Sequence, residues 1–321
     1  MIEYILFVVG IILLIKGAGY LVDGSSSLAK KLGVSSLVIG LTVVAFGTSM
    51  PELVVNVIAA LSGNGDIAFG NIIGSNISNI LLMLGIIAMI AGIKGHSSTT
   101  WKEIPYSLLG VLILLIFASG LFANNLGLNY ISRIGGCILL ILFASFLYYA
   151  FKMMRANKKT GELKDADIQK MPSLKIALYI IGGLVALYLG GKWTVEGAVA
   201  FAQLLGMSEY FISLTVVAVG TSLPELITSI IATIRKEGDL AIGNIVGSNI
   251  FNIFWILGLG SVITPIAIPA SAIFDLIILV IATVALFLFL FVGKKHELER
   301  WQGVVFVLMY VAYIVFLIFR G

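Results

Sequence analysis

Apolar segments long enough to cross a lipid bilayer recur along the whole chain, and they constrain its fold more than any other feature. A transmembrane helix needs about 20 consecutive, predominantly apolar residues. Of the 321 residues, 60% are hydrophobic and 11% are charged, whereas soluble domains carry about 25% charged residues. We therefore predict an all-α membrane protein with ten transmembrane helices. The predicted spans cover about residues 3–22, 34–60, 67–92, 104–123, 130–152, 174–200, 207–234, 240–264, 271–293 and 302–319.

The basic residues predict how these spans are oriented. Of the 20 lysines and arginines, 16 fall in alternate connections between spans. Because cytoplasmic loops carry an excess of positive charge, we expect the polar loop 153–173 to be cytoplasmic and both termini to lie outside. The net charge of +4 is explained by this topology, so nucleic acid is not an expected partner. The expected location is the cell membrane, as a multi-pass protein in contact with the lipid bilayer.

An internal repeat divides the chain into two halves. Residues 40–85 and 213–258 are offset by 173 and share 27 identities in 46 positions without a gap. Because each half has five predicted spans, the second half enters the membrane from the opposite side. Inverted repeats of this kind are typical of secondary transporters, with the site at the midplane where the repeats meet. The predicted organisation is a first five-helix repeat over 1–157, a connector over 158–173 and a second five-helix repeat over 174–321.

Two glutamates at equivalent positions of the repeat mark the candidate site. Glu52 and Glu225 each lie in the middle of an apolar span, where an ionised carboxylate costs about 2.5–3.5 kcal/mol or more without a partner. The alternative is a structural carboxylate that pairs with lysine, but neither span contains a basic residue. Because intramembrane ionisable residues usually mark ion pathways, we predict that the ions bind between these two carboxylates.

A proline directly precedes each of these glutamates, at Pro51 and Pro224. Proline inside a helix lacks an N–H and clashes with the carbonyl four residues earlier, so the second and seventh helices are predicted to be broken at the site. Such breaks are tolerated at membrane depth where the released backbone groups are buried in protein or line a cavity. The carbonyl groups of residues 45–48 and 218–221 are then able to face an ion. A kink that serves only packing is the alternative.

Oxygen donors recur at helical spacing around the glutamates, as polar side chains or, at the alanines, as backbone carbonyl groups. Positions i, i+3, i+4 and i+7 share one face of a helix, and polar stripes at i, i+4 and i+8 follow in the third and eighth spans. All of these groups are oxygen donors, as hard cations such as Ca²⁺ require, and none is His or Cys. The four sets are Ala45, Thr48, Ser49 and Glu52; Ala218, Thr221, Ser222 and Glu225; Asn71, Ser75 and Asn79; and Asn244, Ser248 and Asn252.

The sequences GTSMPE and GTSLPE, followed by GNIIGSNISN and GNIVGSNIFN, resemble the two α-repeats of the cation/calcium exchanger superfamily. Within it the chain is most similar to the sodium/calcium exchanger family of the compact prokaryotic type, over essentially its whole length. The resemblance implies antiport of Na⁺ against Ca²⁺ by alternating access, with the first and sixth helices sliding as a gate. It also implies three Na⁺ per Ca²⁺, hence electrogenic exchange, with no cofactor and no obligate protein partner. The ligand positions that it implies are Glu52, Glu225, Asn79, Asn252, Ser49, Ser222, Thr48, Thr221, Ser75, Ser248, Ala45 and Ala218.

The asparagines at positions 79 and 252 bear on which ions are carried. Some relatives have aspartate at one of these positions, and in the potassium-dependent branch an aspartate in the eighth span is associated with K⁺ transport. Asparagine at both positions therefore argues against K⁺ dependence. A proton/calcium antiporter of the same fold and, from a different class, a cation channel remain as alternatives. An enzyme is not expected, because neither histidine lies in a span where it could activate a nucleophile.

Overall fold

The protein is almost entirely helical. The computed structural model describes residues 2–63, 65–94, 98–119, 129–160, 171–204, 218–269 and 272–320. Its α-helices are α1 (Ile2–Leu32), α2 (Ser36–Ile39), α3 (Ala45–Thr48), α4 (Met50–Leu61), α5 (Gly65–Ile77), α6 (Leu84–Ala91), α7 (Ile104–Ala118), α8 (Arg133–Thr160), α9 (Ser173–Leu204), α10 (Ala218–Thr221), α11 (Leu223–Ile234), α12 (Gly238–Ile250), α13 (Leu257–Ile263), α14 (Ala272–Phe289) and α15 (Arg300–Arg320). Wider π-helical turns cover Gly40–Val44, Ser78–Met83, Thr99–Glu103 and Phe251–Ile256.

Eight of the described helical segments are long and apolar enough to cross a membrane. A ninth candidate consists of Ser36–Thr48 and Met50–Leu61, which are bent by 47° at a single break. Of the predicted seventh span, residues 207–217 lie outside the described residues, and its last part is the short apolar helix α11. The prediction of an all-α membrane protein is confirmed. The eight segments are Ile5–Leu32, Ile67–Ala91, Thr99–Ala118, Arg133–Ala156, Ser173–Phe201, Gly238–Ile263, Ala272–Phe289 and Arg300–Phe319.

Two helices extend beyond the predicted spans into polar sequence. Helix α1 continues to Leu32 and α8 continues to Thr160. Once a helix has formed in apolar sequence, each further residue adds one hydrogen bond, and lysine and arginine are good helix formers. The first residues of the predicted connector are therefore helical, while residues 161–170 lie outside the described part of the chain. The three-segment division of the chain stays a prediction.

The chain forms two compact units, and each contains residues from both repeats. The first unit consists of Met1–Pro51 and Tyr149–Asn244, and the second of Glu52–Tyr148 and Ile245–Gly321. Each unit therefore contains equivalent segments of the two repeats, because residues 1–51 correspond to 174–224 at the offset of 173.

The first unit shows the inverted relation of the repeats directly. Its helices α1 and α9 are repeat equivalents that pack through glycine. A Cβ atom added at Gly10 would lie 2.9 Å from the carbonyl oxygen of Gly190, and one added at Gly17 would lie 2.9 Å from that of Gly183. The pairing runs in opposite directions along the two helices, so they are antiparallel. Since Gly183 and Gly190 are the repeat equivalents of Gly10 and Gly17, a pseudo-twofold axis exchanges the two contacts.

The second unit combines close helix packing with two very short strand pairs. Helices α6 and α15 approach through glycine, since a Cβ atom at Gly303 would lie 2.6 Å from the carbonyl oxygen of Gly85. The strands, which were not predicted, are two residues long and antiparallel, so they do not change the fold class. They are β1 (Ile93–Lys94) paired with β4 (Glu297–Leu298), and β2 (Tyr130–Ile131) paired with β3 (Ile266–Ala267).

Candidate ion-binding site

Both repeat motifs contain a helix break directly before the predicted glutamate. Ser49 ends α3 with φ −84° and ψ 9°, and Ser222 separates α10 from α11 with φ −93° and ψ 7°. Pro51 and Pro224 then lie in the first turn of the following helix, where a missing N–H breaks no helical hydrogen bond. The N–H of Ser49 still donates to the carbonyl oxygen of Ala45 at 3.1 Å, which leaves that oxygen one lone pair. The predicted breaks in the second and seventh helices are confirmed.

The breaks place each glutamate in the first turn of a helix. Glu52 lies in the first turn of α4 and Glu225 in that of α11, and each residue is 1% exposed. The N–H groups at a helix start carry partial positive charge, which stabilises a nearby carboxylate by about 0.3–1 kcal/mol. This contribution is smaller than the cost of an ionised carboxylate in an apolar span. Hydrogen bonds or a bound cation therefore have to supply the rest.

In the first unit, four hydrogen bonds gather predicted site residues around Glu225. The hydroxyl of Ser49 donates to Oε1 of Glu225 at 3.0 Å. The hydroxyl of Thr48 donates to Oδ1 of Asn244 at 2.9 Å. Nδ2 of Asn244 is 3.0 Å from Oγ of Ser229 and 3.3 Å from the backbone oxygen of Glu225, and it donates to both. All five residues are at most 1% exposed, so the structure brings three predicted ligands of the first unit together.

In the second unit, asparagines dominate the polar groups of the candidate site. Nδ2 of Asn79 donates to Oδ1 of Asn249 at 2.9 Å, and Nδ2 of Asn252 donates to Oδ1 of Asn76 at 3.0 Å. Asn56, one turn beyond Glu52, donates to the backbone oxygen of Glu52 at 3.2 Å. Each of these asparagines is at most 2% exposed. The unit thus holds a buried carboxylate and a buried asparagine cluster.

Several buried oxygens of the second unit accept no hydrogen bond from the described residues. They include Oδ1 of Asn56, Asn79 and Asn252, and Oγ of Ser248. A buried polar oxygen without a partner costs about 1–3 kcal/mol, and a hard cation that binds to oxygen offsets this cost. Asn79, Asn252 and Ser248 are predicted ligand residues, which supports a cation site that includes neutral oxygens.

The remaining predicted ligands differ in how deeply they are buried. Ser222 is 1% exposed and Ser75 is 2% exposed, so both are buried as a ligand position requires. Thr221 is half-buried. Ala218 is the first residue of α10, and its side chain lies outside the described atoms.

Two buried residues near the glutamates were missed by the sequence analysis. Asn56 and Ser229 lie one turn after Glu52 and Glu225, and they are repeat equivalents because their numbers differ by 173. Both are completely buried. The i+4 spacing from each glutamate on the same helical face was the signal that would have identified them. The sequence predicted Asn244 only as a member of a polar stripe in the eighth span. In the structure, its Nδ2 donates a hydrogen bond to Oγ of Ser229.

Comparison with known proteins identifies the family. A family model described as sodium/calcium exchanger protein matches residues 2–152 and 175–319. The putative antiporter CaxA of Alkalimonas amylolytica is 38% identical over 315 residues, which cover 96% of each chain. The sodium/calcium exchanger MaX1 of Methanosarcina acetivorans is 33% identical in an alignment that covers 99% of each chain.

A solved structure has the same fold. The sodium-calcium exchanger NCX_Mj, soaked with 2.5 mM Na⁺ and 0.1 mM Ca²⁺, matches with a TM-score of 0.80 and 33% identity over 98% of each chain. Both repeat motifs lie inside the residues that the family model matches. The chain therefore belongs to the sodium/calcium exchanger protein family.

Proposed function

We propose that this protein exchanges Na⁺ for Ca²⁺ across a membrane by alternating access, and that Glu52 and Glu225 bind the transported ions. One observation carries the proposal: the two glutamates occupy equivalent repeat positions, each 1% exposed at the start of a helix that follows a break. A purely structural role does not account for a buried carboxylate in each repeat, because apolar replacements of buried charges are often neutral or stabilising. The similarity to MaX1 and NCX_Mj, which are both named as sodium/calcium exchangers, supports the same function.

Neutral oxygens complete the proposed ion coordination. Ca²⁺ takes 6–8 oxygen ligands at about 2.3–2.6 Å, and two carboxylates alone do not provide that number. The neutral ligands proposed are Thr48, Ser49, Thr221, Ser222, Ser75, Ser248, Asn79 and Asn252, with the backbone oxygens of Ala45 and Ala218. All of their hydroxyl and amide side chains except that of Thr221 are buried. Three of them, Asn79, Asn252 and Ser248, have an oxygen that accepts no described hydrogen bond, which supports a role as ligands.

The proposed exchange does not depend on K⁺. Asn79 and Asn252 are neutral, so the charge of the proposed site comes from Glu52 and Glu225 alone. One Ca²⁺ then balances the site, and no third carboxylate is present at these ligand positions to bind K⁺ with it. The same two carboxylates could also carry protons, which is why the proton/calcium antiporter is tested as the competing function.

Ca²⁺ uptake with chosen counter-ions tests the proposal. Purified protein is reconstituted into vesicles loaded with Na⁺, K⁺ or choline, and uptake of ⁴⁵Ca²⁺ is measured with and without a pH gradient. We expect uptake only into Na⁺-loaded vesicles, with no further effect of added K⁺. Uptake that follows the pH gradient in choline would show a proton antiporter, and uptake that needs no counter-ion would show a channel.

We propose that the protein is a multi-pass protein of the cell membrane, with both termini outside and the 153–173 loop in the cytoplasm. The alternating distribution of basic residues supports this orientation. Cys137, the single cysteine, is exposed on α8 and is first replaced by serine. New cysteines in residues 161–170 should then react with impermeant maleimides only from the cytoplasmic side, and cysteines at residues 2 and 319 only from outside. Labelling of loop and termini from one side would disprove five spans per half.

A further inference from the structure

Asn76 and Asn249 are two buried asparagines that are not among the proposed ligands. They precede Asn79 and Asn252 by one helical turn and are repeat equivalents of each other. Asn76 is completely buried and Asn249 is 2% exposed. Each hydrogen-bonds the proposed ligand of the opposite repeat and not the one on its own helix.

A backbone group fixes the direction of the first of these contacts. Nδ2 of Asn76 lies 3.4 Å from the backbone oxygen of Asn249 and donates to it. A carbonyl oxygen only accepts, so Asn76 has to present its NH₂ group there and its Oδ1 elsewhere. Oδ1 of Asn76 in turn accepts from Nδ2 of Asn252 at 3.0 Å. The NH₂ group of Asn252 is thereby held, and its Oδ1 accepts no hydrogen bond from the described residues.

In the opposite pair, the contact between the two amides has the same direction. Oδ1 of Asn249 accepts from Nδ2 of Asn79 at 2.9 Å, and Oδ1 of Asn79 likewise accepts no described hydrogen bond. Both proposed ligands are therefore held with the NH₂ group engaged and the carbonyl oxygen available. An amide rotated by 180° would instead present an NH₂ group, which repels a cation.

We propose that Asn76 and Asn249 are positioning residues, which orient the amides of Asn252 and Asn79 so that their oxygens face the transported cation. This inference rests on the proposed function, in which those two oxygens are ligands. It also explains an amide at position 252. An aspartate there would place a carboxylate oxygen against Oδ1 of Asn76, whose orientation the backbone contact fixes, and two acceptors facing each other are unfavourable. The arrangement keeps the positions neutral and the charge of the site at that of its two glutamates.

Double-mutant cycles on Ca²⁺ binding test the crossed pattern. Equilibrium ⁴⁵Ca²⁺ binding is measured on purified full-length protein without Na⁺. Asn76→Ala and Asn249→Ala should each weaken binding by about 10–100-fold, as loss of a group that orients a metal ligand does. In the Asn252→Ala background, Asn76→Ala should change binding by less than about 2-fold, because the amide it orients is gone. In the Asn79→Ala background, Asn76→Ala should still weaken Ca²⁺ binding by about 10–100-fold.

The mirrored cycle is an independent second measurement. Asn249→Ala should lose its effect in the Asn79→Ala background and keep it in the Asn252→Ala background. Thermal unfolding without Ca²⁺ identifies variants that do not fold, and serine then replaces alanine because its hydroxyl ends one bond short of the amide oxygen. Equal losses in both backgrounds would overturn the positioning role and leave the proposed function standing. Absence of Ca²⁺ binding by the wild-type protein would overturn both.

Discussion

Replacing Glu225 or Glu52 by glutamine should reduce Na⁺-dependent Ca²⁺ flux to near background. Glutamine keeps the size of the side chain but removes half the negative charge of the proposed site. At an effective dielectric constant of about 20, a unit charge 4 Å from a Ca²⁺ ion attracts it by about 8 kcal/mol before desolvation. If desolvation offsets about half of that attraction, its loss still weakens binding by about 1,000-fold. The measurement is ⁴⁵Ca²⁺ uptake into Na⁺-loaded vesicles, with equal amounts of reconstituted protein.

Glu196→Gln is the matched control for these substitutions. Glu196 also lies in a predicted span, but its side chain is 52% exposed and 3.8 Å from Nζ of Lys192. Exposed ion pairs contribute about 0–1 kcal/mol, so this variant should transport Ca²⁺ nearly as the wild-type protein does. Wild-type flux in Glu225→Gln would refute the assignment of the carboxylates, whereas loss of flux in all three variants would indicate a general effect of removing charge.

The helix breaks and the buried glutamates were predictable because their causes are local. Pro51 and Pro224 each follow a run of Gly, Thr and Ser within one short motif, and proline disrupts a helix through its own ring and its missing N–H. The repetition of the motif at a fixed offset then predicted the same feature twice. The structure has a break within two residues of each proline, and both glutamates are buried.

The hydrogen bonds around the glutamates were not predictable because they join distant parts of the chain. Ser49 and Glu225 are 176 residues apart in sequence, and Thr48 and Asn244 are 196 apart. Helical spacing predicts which side chains share a face, but it does not predict which amide of the neighbouring helix meets them or in which orientation. For the same reason, the crossed pairing of the asparagines was not predictable.

The π-helical turns and the short strands were missed for a different reason. Two paired residues are too few for an alternating pattern to be recognised. A π-turn inserts one extra residue into a helix without changing its apolar composition, so Ser78–Met83 and Phe251–Ile256 look like ordinary helix in sequence. These two turns contain the proposed ligands Asn79 and Asn252.

A membrane potential should drive Ca²⁺ movement through this protein in a direction that depends on Na⁺. With Glu52 and Glu225 ionised and Asn79 and Asn252 neutral, one Ca²⁺ neutralises the proposed site and three Na⁺ leave it one charge positive. Each exchange cycle then moves one net charge with the Na⁺. One charge across 100 mV corresponds to about 2.3 kcal/mol, which shifts the equilibrium Ca²⁺ ratio by about 50-fold. A two-to-one proton/calcium exchange would move no net charge.

The most direct test of sodium/calcium exchange is ⁴⁵Ca²⁺ uptake into Na⁺-loaded vesicles under an imposed potential, with Glu225→Gln vesicles as the background. Three Na⁺ leaving for each Ca²⁺ entering carries one positive charge out. An inside-positive potential should therefore accelerate uptake and an inside-negative potential should slow it, and replacing Na⁺ by choline should abolish both effects. Faster uptake at inside-negative potential without Na⁺ would indicate a channel. Uptake that ignores the potential, needs no Na⁺ and follows a pH gradient would contradict the sodium assignment and show a proton antiporter.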